Sequence, residues 1–376
     1  MRVLFTSHGA YGHFHPIAPL ALAAKARGHE VVVATGPDLV EWVRGCGLPA
    51  EKVGLAHGEH ERRLAELTIG DPGLGVFHRF STVAVPATLA DLVRLGEVWR
   101  PDVIVHEEGE YSAPLYAGML GIPCVTHSWP APARPEAERD TYRELLSPIW
   151  AANGIEHLTR TSGDVYLDSC PPSYQSNEIR SIPGVVPIRA VVFDGPPSPL
   201  PRWLAELPRP AAYVTLGTVR FFSEPEMLRF AVEAVEPLVA AVVVTTGPNP
   251  PEVVETHGDH IRVERYLPQS QILPRVDLVV SHGGAGTTLG SLVHGLPHLV
   301  VPGKAESQLR NAERTEALGV GTAVSRGTAS PETLRAAAQQ LLTDPSYCSA
   351  AAAARDTIDA LPTVDSAVGL LERLAP

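Results

Sequence analysis

No pair of cysteines in this 376-residue chain has the spacing of a metal knuckle or a redox motif; the four (Cys46, Cys124, Cys170, Cys348) are scattered. That argues against a zinc ribbon or a disulfide framework and suits the reduced thiols of a cytoplasmic protein. Basic charge is scarce too. Thirty Lys and Arg face 42 Asp and Glu, the formal charge is −12, and no basic run appears. Nucleic acid is therefore not an expected partner, because a phosphate backbone is gripped by clustered cations. No apolar run reaches the ~20 residues that a membrane helix needs; the longest, around 238–244, has the length of a buried strand. The opening MRVLFTSHG breaks off too soon for a signal peptide. Neither membrane nor export is expected. Aromatics are only 6% of residues, the first turn lacks G-x-G-x-x-G, and no Asp-x-Asp pair offers a metal seat. The missing glycine fingerprint speaks against a dinucleotide oxidoreductase.

What the chain has in plenty is proline (36) and glycine (32), as many loops between strands and helices require. Its length exceeds one ordinary core and fits two α/β domains. The first half reads as strand 3–5, a glycine-bearing loop 7–16, helix 17–27, strand 31–35 and a short helix 38–45. A parallel βαβ start follows from those short connections. Periodicity fades over 53–80, which reads as a long loop, then helix 82–99, strand 103–105, helix 111–120 and strand 124–126 follow. Residues 183–210 hold eight prolines and take the interdomain linker, dividing 1–195 from 210–376. The second half repeats the pattern with strands at 213–216, 241–245, 261–263, 278–280 and 299–301. Its last helix, 366–374, is a candidate to pack back on the first domain. Two doubly wound halves leave a cleft at the carboxyl ends of both sheets, where ligands sit in such folds.

The most informative stretch is DLVVSHGGAGTT (277–288), a buried strand that opens through glycines into a helix. Glycines let a ligand touch backbone, and the helix start offers unpaired N–H groups and partial positive charge, which together make a phosphate seat. His282 stands just before them as a further donor.

HGGAGTT, with Pro268–Gln269 upstream and Asn311–Ala312 downstream, resembles the nucleotide-sugar signature of inverting GT-B glycosyltransferases, those of bacterial natural products most closely. The resemblance implies two Rossmann-like domains facing across a cleft, with an apolar aglycone in the first and a dTDP- or UDP-sugar in the second. GAYGHFHP (9–16) resembles the family's G-H-x-x-P loop, putting His13 in the place of the general base with Gly12 beside it. Neutral imidazole suits removal of a hydroxyl proton. His8 and His15 leave a His-x-His metal site as a competing idea without an identifiable third ligand; no metal and no cofactor beyond the donor are expected. The family's orienting aspartate is matched by Glu107 in PDVIVHEEGEYSAP, with Glu108 and Glu110 as alternatives.

For the donor, the resemblance assigns Gly217 and Thr218 of VTLGT to the β-phosphate, Tyr266 to stacking on the pyrimidine and Leu267 to its edge. It gives the diphosphate to His282, Gly283, Gly284, Gly286 and Thr287. In PGKAESQLRNA (302–312), Gln308 matches the glutamine of the sugar-gripping Asp-Gln pair, Ser307 stands in the acid's place and Glu306 lies one earlier. The displaced acid points toward a deoxy sugar. Phe77, Phe80, Trp129, Tyr142 and Trp150 are candidates for the acceptor wall or for core. A nonhydrolysing nucleotide-sugar epimerase of the same fold and a non-catalytic partner protein are the alternatives. A homodimer is left open.

Overall fold

The computed structural model describes residues 1–155, 161–196, 198–218, 223–255 and 258–375. Among the described residues, thirteen strands form two parallel sheets. The first holds β1 (Arg2–Ser7), β2 (Glu30–Thr35), β3 (Ala50–Lys52), β4 (Val103–Glu107), β5 (Cys124–His127), β6 (Val165–Asp168) and β7 (Val185–Pro187) in the order β3-β2-β1-β4-β5-β6-β7. The second holds β8 (Ala211–Thr215), β9 (Ala241–Thr245), β10 (Ile261–Glu264), β11 (Leu278–Ser281), β12 (His298–Val300) and β13 (Gly321–Ala323) in the order β10-β9-β8-β11-β12-β13. The central strands are buried from end to end, as in Val103–Glu107 and Ala241–Thr245, because helices cover both faces of a parallel sheet. Each sheet has one switch point where the strand order reverses: β1 beside β4, and β8 beside β11. Crevices for ligands open at such points.

The halves are tied together by chain that crosses between them. The last helix, Val364–Leu374, sends Ala367, Val368 and Leu371 into the first domain's core against residues such as Val3, Phe5 and Leu20. In the other direction Tyr174, 1% exposed, joins Leu292, Val320 and Ala351 in a core of the second half. Its hydroxyl donates to the Asn311 carbonyl at 2.6 Å.

Strands β3, β6 and β13 were not foreseen, and three further features differ from the sequence reading. The first helix is Tyr11–Ala26 and begins well before 17, so His13 stands in a helical first turn and not in a loop. Pro16 and Pro19 obscured this; Pro16 lacks an N–H for the Gly12 carbonyl, and both residues border the cleft between the halves. The stretch 53–80 is largely helical, with His57–Glu66, Gly75–His78 and a π-turn from Arg79. His57–Glu66 buries nothing and relies on charge pairs such as Arg62–Glu66 (2.6 Å) and Arg63–Glu59 (2.8 Å), so apolar periodicity could not reveal it. Lastly, the stretch taken for linker starts with a strand, β7, paired to β6.

The last helix yields a stability test. Leu371→Ala removes a fully buried side chain from the first domain's core and should cost ~2–5 kcal/mol. Glu372→Ala, which loses the surface pair to Arg27, should cost under ~1 kcal/mol. Urea unfolding midpoints compare the two.

Candidate active site

The switch point of the first sheet brings together the end of β4 and the helix that follows β1. His13 Nδ1 lies 2.8 Å from Glu107 Oε1. With the carboxylate ionised, Nδ1–H donates to it, which fixes the tautomer and leaves the Nε2 lone pair for chemistry. Glu107 is wholly buried and its second oxygen is also engaged. Oε2 accepts from the Gly109 N–H at 2.6 Å and from the Trp129 indole N–H at 2.8 Å. Burial works against its charge, but the pull of His13, their hydrogen bond, His8 and the Gly109 N–H outweigh it and hold the carboxyl at about 2. The His13 ring is flanked by His8, Phe80 and Trp129, with centroids 5.3, 5.4 and 5.0 Å away.

The three neighbouring acids have separate partners. Glu108 accepts from the Trp129 backbone N–H at 3.3 Å and lies 3.9 Å from Arg134. Glu110 accepts from the Thr6 hydroxyl and from the backbone N–H groups of Ser112 and Ala113, holding the start of the helix Ser112–Leu120. Only Glu107 among them reaches His13. The histidines separate as well. His8 Nε2 meets the Gly109 carbonyl at 2.9 Å, and His15 Nε2 accepts from the Trp42 indole at 3.2 Å. Among the described residues no three His, Cys, Asp or Glu side chains converge as metal ligands. Of the aromatics, Tyr142 and Trp150 are core, 4% and 1% exposed, and Phe77 packs on Tyr142; Phe80 and Trp129 border His13.

Across the cleft, the second sheet's switch point presents Gly217 and Thr218 after β8 and His282 after β11. Gly217 has φ +78°, and a Cβ there would lie 2.6 Å from His282 Cε1; one on Gly284 would lie 2.7 Å from the same atom. The imidazole thus fits between two glycines. Burial, helped by Arg326, lowers His282 to about 4, so the ring is neutral near pH 7. The helix Ala285–His294 starts at Gly284 with no side-chain cap, and its first N–H groups are free for a ligand. The cleft between the halves is lined by Gly12, Gly217, Thr218, Tyr266, Leu267, His282, Gly284, Gly286 and Thr287. Tyr266 is 42% exposed there, and its hydroxyl donates to the Asp194 carbonyl at 2.6 Å.

Other residues singled out in the sequence lie elsewhere. His13 and Glu107 stand beside the cleft lining, not in it. Gly283 turns inward with φ +77°, its carbonyl taken by Asn311 Nδ2 at 2.8 Å. Glu306 is exposed, Ser307 half-buried, and Gln308 buried with its Oε1 accepting from the Gly303 N–H at 2.8 Å; none of the three borders the cleft. The sequence reading missed Ala285 and His127, and gave no site role to Gln269 of its Pro268–Gln269 signature; all three line the cleft. Gln269 donates to the Thr287 hydroxyl at 2.9 Å. His127 ends β5 directly opposite Glu107, a strand-end position that could have flagged it.

Residues 22–217 match the N-terminal domain and 229–374 the C-terminal domain of the erythromycin biosynthesis protein CIII-like family. An L-demethylnoviosyl transferase of Streptomyces niveus is 32% identical over 342 residues, covering 87% of this chain and 86% of that one. The crystal structure of glycosyltransferase SnogD from Streptomyces nogalater is 29% identical with a TM-score of 0.85, covering all of both chains. That of glycosyltransferase VinC in complex with dTDP is 28% identical with a TM-score of 0.83, covering 100% of this chain and 99% of that one.

The Glu107 environment carries an acid-stability signature. Its carboxyl sits at about 2 in the folded chain against an ordinary 4.5. Between those values the unfolded chain binds the extra proton, so the stability this group contributes is present above about pH 4.5 and fades as pH falls toward 2. Glu107→Gln should therefore lose less stability than the parent on acidification across that window, read from urea midpoints.

Proposed function

The chain belongs to the erythromycin biosynthesis protein CIII-like family of glycosyltransferases, and on that footing we propose an inverting, metal-independent transfer of a deoxy sugar from a dTDP-sugar to an apolar natural-product aglycone. The chain is a nucleotide-sugar-dependent glycosyltransferase of the antibiotic-biosynthesis kind, taking a small-molecule donor and an aglycone acceptor. Its named relatives are sugar transferases, which favours transfer over epimerisation or a non-catalytic role. No helix among the described residues is long and apolar enough to cross a membrane. The four free cysteines fit a cytoplasmic setting.

One observation carries the mechanism: a 2.8 Å His13–Glu107 pair stands at one switch point, beside the cleft, and an uncapped, glycine-lined helix start stands at the other. His13 Nε2 takes the proton of an acceptor hydroxyl as its oxygen attacks the anomeric carbon. The carbon–diphosphate bond breaks on the opposite face, which inverts the configuration. Glu107 stabilises the imidazolium that forms. Negative charge grows on the departing diphosphate, where backbone N–H groups of 285–287, Thr218 and His282 are already aimed, so little reorganisation is needed. Tyr266 and Leu267 take the pyrimidine, and Gly12 lies where the sugar meets the first domain.

Two substitutions separate the halves. His13→Ala should leave dTDP affinity nearly intact and lower kcat on the order of 10²-fold or more. His282→Ala should weaken both dTDP binding and turnover. Calorimetric dTDP binding beside steady-state kinetics without added divalent ions decides, and equal dTDP affinity in His282→Ala would remove the donor assignment.

Donor choice is a separate expectation. Gln308 Oε1 is committed to Gly303, Ser307 carries no charge, and Glu306 lies outside the cleft. A sugar rich in hydroxyls would leave polar partners unmatched, at ~1–3 kcal/mol each. A dTDP-linked deoxy- or aminodeoxyhexose should therefore exceed UDP-glucose in kcat/KM with one accepted aglycone. Equal turnover of UDP-glucose would refute it.

A further inference from the structure

The acid that meets His13 is a glutamate, one methylene longer than an aspartate and with one more rotatable bond. Something must hold its far oxygen if the near one is to stay on Nδ1. Two donors do so: the Gly109 N–H at 2.6 Å and the Trp129 indole N–H at 2.8 Å. The first is backbone and comes with the turn. The second is a side chain from the segment after β5, more than twenty residues away, so its aim must be built.

The surroundings build it. Arg134, only 8% exposed, lays its guanidinium over the indole with Cζ 4.6 Å from the ring centre. The Trp129 backbone N–H is tied to Glu108 at 3.3 Å. A Cβ on Gly109 would lie 2.8 Å from the indole Cζ2 and 3.1 Å from Glu107 Oε2, so the bare glycine is what lets ring and carboxylate close on the same turn. The other edge of the indole meets the His13 ring in a T-shaped contact at 5.0 Å and 84°. Trp129 touches both members of the pair and is clamped from behind.

We infer that Trp129 is a positioning residue for the transfer reaction: its indole N–H locks the Glu107 carboxylate in the orientation that keeps Oε1 on His13 Nδ1. The inference rests on the reading of His13 as base. An indole N–H has one fixed direction and no acceptor capacity, so it can hold Oε2 without competing for the Nδ1 proton. Losing the donor frees the carboxylate to turn from Nδ1, which weakens its hold on a protonated His13 and moves the acid limb of the activity profile downward in pH.

Trp129→Phe keeps a ring and deletes the donor. The expected result is unchanged dTDP affinity, kcat lower by about tenfold, as for a lost hydrogen bond to a charged group, and an acid limb of kcat/KM displaced to lower pH. A ring that serves only as packing would not displace the limb; a limb that stays in place in the folded variant, whatever happens to kcat, overturns the inference. His13→Ala in the same assay keeps the two claims apart. If it abolishes turnover while Trp129→Phe is silent, positioning alone fails; if both are silent, the base assignment fails. Should Trp129→Phe not fold, the indole N–H resonances of Glu107→Gln decide. One of the five tryptophan signals should move on loss of the charged acceptor, and five unmoved signals would overturn the proposal.

Discussion

The chemistry of this chain depends on keeping two strand-end edges face to face, and covalent connection alone would not keep them so. The contacts that do are exchanges of core. Val368 and Leu371, from the far end of the sequence, are fully buried in the first half, while Tyr174 of the first half is buried in the second. Tyr174 is more than packing. Its hydroxyl bonds the Asn311 carbonyl, and the Asn311 side chain bonds the Gly283 carbonyl in the turn that opens the phosphate-facing helix. Arg314 adds two bonds to the carbonyls of Ser173 and Tyr174. A segment leaving the first sheet is thereby coupled, through two hydrogen bonds, to the turn that would receive the diphosphate. Because buried bonds of this kind are costly to break singly, the turn and the interdomain contact are set as one unit.

Charge in the cleft is arranged with economy. The chain as a whole is acidic, yet a nucleotide-sugar is a dianion. On the second half's wall stand oriented backbone and neutral imidazole: an uncapped helix start, Gly217 and Gly284 pressed against His282, and a ring whose own charge is suppressed by burial, while Arg189 and Arg265 also line the cleft. Fixed dipoles need no counterion and do not trap a product dianion as strongly as a cluster of lysines would. The buried Glu107 is on the first half's side, committed to His13, and in the proposed reaction its negative charge stabilises a growing imidazolium.

Much of this was legible in the sequence, for physical reasons. Buried parallel strands announce themselves as apolar runs, and 277–288 showed strand, glycines and helix in the order that a phosphate seat requires. The same reading placed Glu107 at a strand end, and the strand order makes it β1's neighbour. What escaped lacked a local signal. His57–Glu66 has no buried face, so periodicity had nothing to detect. The first helix starts ahead of two prolines that normally argue against helix. Gly283 and Gly284 are adjacent in sequence but face opposite ways: one packs under Gln308 and Val300, the other borders the cleft. Only the positive φ of Gly283 distinguishes them. The stretch 302–312 kept the glutamine of its motif, but side-chain direction is tertiary information, and Gln308, on the helix Glu306–Ala317, spends its amide oxygen on the Gly303 N–H.

The glutamate at 107 shows why matching a residue type to a role is not enough. A buried carboxylate on a longer arm has more ways to turn aside, and each costs the burial of an unpaired charge. The chain closes those ways from several directions at once. His13 takes one oxygen, a backbone N–H and an indole N–H take the other, and Gly109 leaves no Cβ to hold the partners apart. The indole is held by an arginine that is itself buried between Trp129 and Tyr142 and bonded to Tyr111. Orientation of one imidazole nitrogen is thus fixed by a sequence of contacts reaching into the hydrophobic core, where side chains cannot rotate without opening a void. Rigidity of the core becomes precision at the reacting atom by that route, and the extra methylene is accommodated without loosening the pair.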